Sequence, residues 1–247
     1  TIDGKLRSGV FELEGDVSSQ YVTGLLFALP LLDGDSEIRM LSKLESKPYV
    51  DLTIACLRHF GIAVQETEQG YAVAGGQQYH ACDLTVEGDY SQAAFFCVAN
   101  ALGSDITLTN LNPESVQGDK KIVEIVREMC YNRDQGLPAG FTVDAADIPD
   151  LVPILAVLAT FGTAPSSITG AHRLAIKESD RLASTADLLN RLGGKVTATP
   201  DGLEIEPVEH LHGGTVDSCG DHRIAMCAAV AATRCAGEVT ILHGECV

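Results

Sequence analysis

Two short clusters combine cations with acids at the start of predicted helices. Lys177-Glu178-Ser179-Asp180-Arg181 opens one helix, and Asp221-His222-Arg223 opens another. Lysine and arginine at a helix beginning oppose the helix dipole, and the free N–H groups there already attract anions. Each cluster therefore indicates an anion site. The alternative is a solvated helix start whose cations pair with their own acidic neighbours, such as Arg223 with Asp221.

Uncharged polar residues form a second set of candidates. Ser18-Ser19-Gln20, at the start of another predicted helix, offers hydroxyl, amide and backbone donors that suit a phosphate or a polyol, although serine is also common in ordinary caps. Ser46 and Tyr49 lie in a polar loop and are less specific. Asp150 fits either a base or a simple N-cap. The sequence contains no glycine-rich phosphate loop, nucleophile elbow or metal-binding motif.

These residues are positioned by four copies of one pattern, in which an aspartate precedes a long apolar helix. The aspartates recur at intervals of about 60 to 75 residues, which indicates duplicated units; they are Asp16, Asp89, Asp150 and Asp221. Each aspartate is predicted to cap its helix, and because the helices are apolar on all sides they are predicted to be buried all round. Segments between them, such as Asp105–Thr109, alternate like half-exposed strands.

The order of elements predicts an α+β fold with helices inside and sheets outside. One unit reads as strand, buried helix, strand, surface helix and two strands. The predicted surface helices are 50–60, 120–129 and 180–192, and 141–143 is a strand of the second unit. A polar stretch at 77–82 places a domain boundary between residues 1–83 and 84–247. The fourth unit breaks off after its helix and one strand, which suggests a truncated chain.

Composition restricts the classes of partner. The 247 residues carry 17 basic and 34 acidic side chains, and a net charge of −17 disfavours nucleic acid and anionic membranes as partners. Apolar runs fall well short of the ~18 residues that cross a bilayer, and no signal peptide is recognisable, so we expect a soluble intracellular protein. The eight cysteines lack Cys-x-x-Cys spacing, which favours reduced packing residues.

Five motifs in order along the chain resemble the EPSP synthase (3-phosphoshikimate 1-carboxyvinyltransferase) family. They are Gly15-Asp16-Val17-Ser18-Ser19-Gln20, Ser46-Lys47-Pro48-Tyr49, Ile148-Pro149-Asp150, Lys177-Glu178-Ser179-Asp180-Arg181 and Asp221-His222-Arg223-Ile224-Ala225-Met226. The resemblance implies two domains, each of three βαβαββ units forming an inside-out barrel. Residues 1–83 would belong to the second lobe, on the phosphoshikimate side, and 84–247 to the first lobe, on the phosphoenolpyruvate side.

The resemblance also implies a reaction. The family transfers the enolpyruvyl group of phosphoenolpyruvate to the 5-hydroxyl of shikimate 3-phosphate and releases phosphate. It uses no metal or organic cofactor. By this resemblance we expect a cytoplasmic enzyme of aromatic amino acid biosynthesis whose full-length parent is monomeric.

Residue roles follow from matching the motifs position by position. Ser18, Ser19 and Ser46 would hold the shikimate phosphate, and Gln20 and Tyr49 would lie against the ring. The complete implied binding set is Ser18, Ser19, Gln20, Ser46, Tyr49, Asp150, Arg173, Lys177, Arg181, His222 and Arg223.

The catalytic residues implied by the resemblance are Asp150, Lys177 and Glu178. Asp150 would accept hydrogen bonds from the shikimate hydroxyls, Lys177 would also bind that substrate, and Glu178 would transfer a proton at the methylene carbon. Arg181 and Arg223 would clamp phosphoenolpyruvate, because planar guanidinium groups suit carboxylate and phosphate.

The sequence departs from the family pattern in several places. Arg173 stands where a ring-binding Asn is common, and the family's Lys-Ser and Arg motif, its Asn-Ala-Gly-Thr loop and its final Lys have no counterpart in 1–247. We therefore expect this chain to keep only part of the ligand shell and to be inactive alone. The alternatives are the sister enzyme that acts on UDP-N-acetylglucosamine, which the Ser18-Ser19-Gln20 triplet and Lys177-Glu178 disfavour, and a non-catalytic binding module built from repeats.

Overall fold

The computed structural model describes residues 4–131 and 140–247, which divide into two compact units. The first unit runs to Val86 and includes Val116–Gly118, and the second comprises Glu87–Ser115 and Asp119–Val247. That these units correspond to parts of the two lobes of an enolpyruvyl transferase stays a prediction.

The first unit is a single βαβαββ repeat. Its elements are β1 (Val10–Leu13), α1 (Ser19–Ala28), β2 (Ser36–Met40), α2 (Lys47–His59), β3 (Gln65–Thr67) and β4 (Gly70–Val73). The sheet order is β1-β2-β4-β3, in which β1 and β2 are parallel and β4 is antiparallel to both neighbours. Val22 and Leu26 of α1, Leu57 of α2 and Ile38 of β2 are buried in one core. Because β1 and β2 are parallel, α1 and α2 both begin at the same edge of the sheet.

The second unit contains a further copy of this repeat. Its helices are α3 (Tyr90–Ala101), α4 (Lys121–Tyr131), α5 (Val152–Thr160), α6 (Arg181–Arg191) and α7 (His222–Ala232), and its strands are β5 (Thr142–Asp144), β6 (Ser166–Thr169), β7 (Lys195–Thr199), β8 (Gly202–Glu206), β9 (Gly214–Asp217) and β10 (Val239–Leu242). The sheet order β5-β6-β8-β7 reproduces that of the first unit, and β9 pairs with β10 in parallel. The predicted repetition and the α+β class are therefore confirmed.

The predicted strand at 105–109 is wrong. The side chain of Asn100 accepts a hydrogen bond from the Ile106 N–H and donates one to the Ile106 carbonyl, both at 2.8 Å, so these backbone groups are satisfied without a neighbouring strand. The predicted strand at 141–143 exists one residue later as β5, but it pairs with β6 and so begins the third repeat rather than closing the second.

Two of the four predicted aspartate caps are confirmed. Asp89 accepts a hydrogen bond from the Ser91 N–H at 2.8 Å, and Asp221 accepts one from the Arg223 N–H at 2.9 Å. Each carboxylate thereby satisfies one of the free N–H groups in the first turn of α3 or α7.

The predicted caps at Asp16 and Asp150 are wrong. Ser18 caps α1 by accepting from the Gln20 N–H, whereas Asp16 accepts a hydrogen bond from the Ser42 hydroxyl at 3.0 Å. Asp150 lies inside a short 3₁₀ helix, Pro149–Leu151, which runs into α5. Its carboxylate binds arginine side chains instead, because two buried guanidinium groups approach it.

The prediction of helices buried on every side holds fully for α5 and only in part for α1. All nine residues of α5 are buried, whereas Tyr21 and Phe27 of α1 are 59% and 45% exposed. In the first unit α1 packs against α2 and the sheet on one side, which leaves its other face uncovered in that unit. Across the ranges that the structure describes, every helix is too short or too polar to cross a lipid bilayer.

One glycine occupies the same place in both complete repeats. Gly70 begins β4 and Gly202 begins β8, next to Ile38 of β2 and Ile168 of β6. A Cβ atom on either glycine would overlap the carbonyl oxygen of the neighbouring isoleucine. Only glycine allows the strands to approach this closely.

We expect Gly202→Ala to lower the free energy of unfolding by about 2 kcal/mol or more, because the new methyl group has to displace backbone. Urea denaturation of the whole chain, followed by far-ultraviolet circular dichroism, measures the change for this variant and for its control. Gly24→Ala is the control, because Gly24 lies in α1 with no atom within 4 Å of the added methyl, and alanine should stabilise that helix by about 0.5–1 kcal/mol. Equal effects of the two substitutions would contradict the steric argument.

An ion pair joins the ends of β9 and β10. The Nδ1 atom of His243 lies 2.9 Å from Oδ1 of Asp217. This hydrogen bond raises the pKa of His243 above 6.5, and the same hydrogen bond, followed by the one from the Cys219 N–H, lowers the pKa of Asp217 below 3.8. The histidine contribution to stability is lost as pH rises through its raised pKa, and the aspartate contribution is lost as pH falls through its lowered pKa.

The stabilisation by this pair should therefore be greatest between pH 3.8 and 6.5. Comparing the melting temperatures of wild type and His243→Gln over a range of pH tests this expectation. The difference should shrink on both sides of that window. A difference that stays constant up to pH 9 would show that the histidine acts through packing and not through its charge.

Candidate functional sites

The loops that precede α1 and α2 are bonded together in the first unit. The Gly15 N–H donates to the Ser42 hydroxyl at 2.8 Å, and the Glu45 N–H donates to the Gly15 carbonyl at 3.0 Å. A Cβ on Gly15 would lie 2.7 Å from the Lys43 carbonyl oxygen, so a larger residue would force these loops apart. The starts of α1 and α2 are thereby held side by side.

This arrangement collects the predicted phosphoshikimate residues in two neighbouring first turns. Ser18 and Ser19 begin α1, with Ser19 buried, and Gln20 follows with its side chain exposed. Ser46 is buried in a left-handed conformation (φ 56°) immediately before α2, and its carbonyl accepts the Tyr49 N–H at 3.1 Å. Hydroxyl groups and two helix starts in one place suit an anionic group such as a phosphate.

A separate cluster of charges lies in the second unit, centred on Arg181. This residue begins α6 and is only 1% exposed. Its Nε donates to Oδ2 of Asp221 at 2.8 Å, its Nη1 to Oδ1 of Asp150 at 3.1 Å, and its Nη2 to Oε2 of Glu178 at 2.7 Å. A buried guanidinium requires such partners, since an unpaired charge is very costly to desolvate.

Asp150 connects Arg181 to the second arginine. Its other oxygen, Oδ2, accepts from Nη2 of Arg223 at 2.8 Å, and its backbone carbonyl lies 3.5 Å from Nη1 of Arg223. Asp150 comes from the turn before α5, Arg181 from α6 and Arg223 from α7. The carboxylate therefore fixes the two guanidinium groups relative to each other.

Asp221 is the most deeply buried carboxylate of this cluster. It is fully buried and accepts hydrogen bonds from the Ser179 hydroxyl at 3.1 Å and the Arg223 N–H, as well as from Arg181. Burial alone would raise the pKa of Asp221, but the hydrogen bond and the charge of Arg181 outweigh it and hold that pKa below its usual value. Likewise, burial would lower the pKa of Arg181, yet Asp221 and the other carboxylates raise it. Both groups are charged at neutral pH.

The three carboxylates differ in how easily they can leave the arginines. The Asp221 side chain is 0% exposed, that of Asp150 is 21% exposed, and that of Glu178 is 52% exposed. Nε of Arg223 is buried without a hydrogen-bond partner among the described residues. An incoming anion could therefore replace Glu178 on Arg181 and use free donors of Arg223. In such an arrangement the two guanidinium groups can bind an anion, and a neighbouring carboxylate can transfer a proton next to it.

The remaining predicted residues surround this cluster unequally. Lys177 is exposed next to Glu178, and Nδ1 of the half-buried His222 lies 3.8 Å from Oδ1 of Asp221. Arg173 is 5% exposed, and its Nη2 donates to the Ala146 carbonyl at 2.8 Å. Arg173 thus supports the loop before Asp150, and a direct role in binding substrate stays a prediction.

The sequence did not predict which carboxylate pairs with which arginine. It weighed local pairing of Arg223 with Asp221, but the Asp221 carboxylate binds the side chain of Arg181, and the Arg223 side chain binds Asp150. It also overlooked Ser91, whose hydroxyl lies 3.2 Å from Nη2 of Arg223 although the residues are far apart in sequence. The repeated Gly-Asp start of α3 and α7 was the available signal, because equivalent helix starts in a repeat fold converge.

Solved structures of similar shape define the class of this fold. EPSP synthase from Acinetobacter baumannii matches with a TM-score of 0.80 and 27% sequence identity, covering 98% of this chain and 59% of that one. The enolpyruvyl transferase NikO from Streptomyces tendae matches with a TM-score of 0.72 over 98% of this chain and 61% of that one, and at 16% identity it supports the fold alone. The fold is that of the enolpyruvyl transferases.

Sequence comparison gives the particular family. The model of the EPSP synthase (3-phosphoshikimate 1-carboxyvinyltransferase) family matches residues 1–247, and the 3-phosphoshikimate 1-carboxyvinyltransferase of Clostridium kluyveri is 45% identical over 257 residues. The chain belongs to the EPSP synthase family. It spans about 60% of the length of the curated relatives that it matches, while those relatives cover all of this chain.

If Glu178 competes with an anionic ligand for Arg181, removing its charge should strengthen anion binding. We expect Glu178→Gln to bind inorganic phosphate about two- to fivefold more tightly than wild type, in keeping with the small free energy of a half-exposed ion pair. Isothermal titration calorimetry at physiological ionic strength measures the affinities.

Asp187→Asn is the matched control for this prediction. Asp187 forms an exposed ion pair with Arg191 in the same helix, so the substitution removes the same charge away from Arg181. Its phosphate affinity should equal that of wild type, because salt screens exposed charges beyond about 8 Å. Weaker binding by Glu178→Gln would show that Glu178 supports the anion and does not compete with it.

Proposed function

We propose that the complete protein transfers the enolpyruvyl group of phosphoenolpyruvate to the 5-hydroxyl of shikimate 3-phosphate and releases phosphate. One observation carries the proposal: Asp150, Glu178, Arg181 and Arg223, from three distant segments, form one connected network of charges. These are the positions at which the motifs resemble the EPSP synthase family. Relatives named 3-phosphoshikimate 1-carboxyvinyltransferase at 42–45% identity support the same activity.

Phosphoenolpyruvate would bind at Arg181 and Arg223. It carries a carboxylate and a phosphate, and each guanidinium presents a planar set of donors that matches either group. Asp150 and Asp221 would stay in place, because they hold the arginines apart and oriented. The more exposed Glu178 would yield its position on Arg181 to the ligand.

The resemblance to the EPSP synthase family assigns residues from several of the matched motifs to shikimate 3-phosphate. Ser18, Ser19 and Ser46 are the proposed phosphate ligands, and Gln20 and Tyr49 the proposed ring contacts. Asp150 and Lys177 would bind the hydroxyl groups, with His222 and Arg173 as further candidate contacts.

The chemistry requires one proton to be delivered and then removed. Protonation of the methylene carbon makes the neighbouring carbon electrophilic, and the 5-hydroxyl adds to it and loses its own proton. The resulting tetrahedral intermediate then returns a proton from its methyl group while the C–O bond to phosphate breaks. Glu178 is the proposed proton carrier at that carbon: it gives its proton to the methylene group and takes one back from the methyl group. Asp150 is the proposed acceptor of the hydroxyl proton, which then passes to the released phosphate, and Lys177 would balance the charge at the hydroxyl. No step calls for a metal or an organic cofactor.

The alternative acceptor, UDP-N-acetylglucosamine, would use the same phosphoenolpyruvate chemistry. The hydroxyl-rich starts of α1 and α2 favour a compact phosphorylated acceptor, and the relatives favour shikimate 3-phosphate. We further propose that the protein is monomeric and acts in the cytoplasm on these two small anions, with no nucleic acid or membrane partner.

An assay of phosphate release by the complete product of the gene tests the proposal. Turnover is expected with phosphoenolpyruvate and shikimate 3-phosphate, and Glu178→Gln should lower kcat by about 10²–10⁴-fold because general acid–base catalysis is lost. Asp187→Asn should leave kcat unchanged. The 247-residue chain alone is expected to show no turnover.

Two outcomes would contradict the proposal. Turnover with UDP-N-acetylglucosamine but not with shikimate 3-phosphate would identify the sister activity. Absence of turnover with either acceptor by a folded complete protein would favour a binding module.

A further inference from the structure

Ser91 lies in the first turn of α3 with both of its polar groups committed to Asp89. Its N–H donates to Oδ1 of Asp89 at 2.8 Å, and its hydroxyl donates to Oδ2 at 3.1 Å. Ser91 is 6% exposed. The helix cap of α3 therefore also fixes the direction of the Ser91 hydroxyl group.

The hydroxyl has a definite polarity in this setting. An ionised carboxylate only accepts hydrogen bonds and a guanidinium only donates them. Because the Ser91 hydrogen points to Asp89, a lone pair of its oxygen faces Nη2 of Arg223, 3.2 Å away. The contacts form a one-way chain from Arg223 through Ser91 to Asp89.

Ser91 and Asp150 together hold Nη2 of Arg223 from two different elements. Asp150 Oδ2 accepts from Nη2 at 2.8 Å, and the Ser91 hydroxyl accepts from the same nitrogen. An Nη2 group has two hydrogens, so both are used. Nε, which has no partner among the described residues, and the weakly bonded Nη1 are then the donors that remain for a ligand.

We propose that Ser91 is a positioning residue that orients the Arg223 guanidinium, so that its Nε and Nη1 donors meet the anionic substrate. The inference rests on the proposed function, because it concerns how Arg223 is oriented to bind phosphoenolpyruvate. Without the hydroxyl, the guanidinium keeps only the Asp150 carboxylate and the long contact with the Asp150 carbonyl, and it can rotate more freely. Its donors are then no longer preorganised before the ligand arrives.

The test compares Ser91→Ala with Thr185→Val in the complete product of the gene. Ser91→Ala deletes the hydroxyl but keeps the N–H that is capped by Asp89. Thr185 is fully buried in α6 of the same unit, and its hydroxyl has no hydrogen-bond partner among the described residues, so Thr185→Val removes a buried hydroxyl that forms no hydrogen bond to either arginine. Both variants should fold, as thermal denaturation will show.

Two readouts are required. The first is the KM for phosphoenolpyruvate, which should rise about five- to tenfold in Ser91→Ala, because part of the free energy of the lost hydrogen bond to Arg223 appears as weaker substrate binding. It should stay within about twofold of wild type in Thr185→Val. The second is the ¹⁵N NMR signal of the Arg223 guanidinium, assigned by its loss in Arg223→Lys. In Ser91→Ala this signal should shift and report faster rotation, and in Thr185→Val it should not change.

The proposal requires both changes in Ser91→Ala. An unaltered KM, or an unaltered Arg223 signal, overturns it. If the wild-type protein does not turn over, the proposed function fails separately, and the Arg223 signal alone decides whether Ser91 holds the guanidinium.

Discussion

The cost of burying a positive charge is the constraint on which the second unit depends. Arg181 is almost completely enclosed, so its guanidinium must be matched by carboxylates supplied from other elements. Asp221 at the start of α7 and Asp150 before α5 meet this need and thereby tie α5, α6 and α7 together at their first turns. The same hydrogen bonds that stabilise the buried arginine also preorganise the proposed anion site.

The repeat architecture explains why helix starts meet in this way. In each complete repeat two strands are parallel, so the helices that follow them begin at the same edge of the sheet. The last two strands form a hairpin that packs closely against the second strand at Gly70 or Gly202. In the first unit this edge gathers neutral hydroxyl groups, whereas in the second it gathers arginines and acids. A duplicated scaffold thus carries two kinds of candidate anion site.

The exposed fractions of the acids separate structural from adjustable contacts. Asp221 is buried in the interior and also caps α7, so its displacement would leave Nε of Arg181 without its acceptor and would uncap that helix. Glu178 is half exposed and touches the same guanidinium from outside. A site that must be stable when empty and open to a substrate can use this division, with inner carboxylates fixing the arginines and an outer one exchanging with the ligand.

The sequence by itself determined the repeated units, the α+β class, the caps at Asp89 and Asp221 and the motifs that resemble the EPSP synthase family, because periodicity, capping and motif order are local properties. Only the tertiary structure decided that Asp150 bridges two arginines and is not a cap, that Asp221 binds the side chain of Arg181, and that Ser91 contacts Arg223. The structure also showed that 105–109 is not a strand, because the Asn100 side chain forms hydrogen bonds with the backbone of Ile106. The physical reason is that a buried charge pairs with whichever opposite charges are near it in the folded chain, and local sequence patterns do not specify those neighbours.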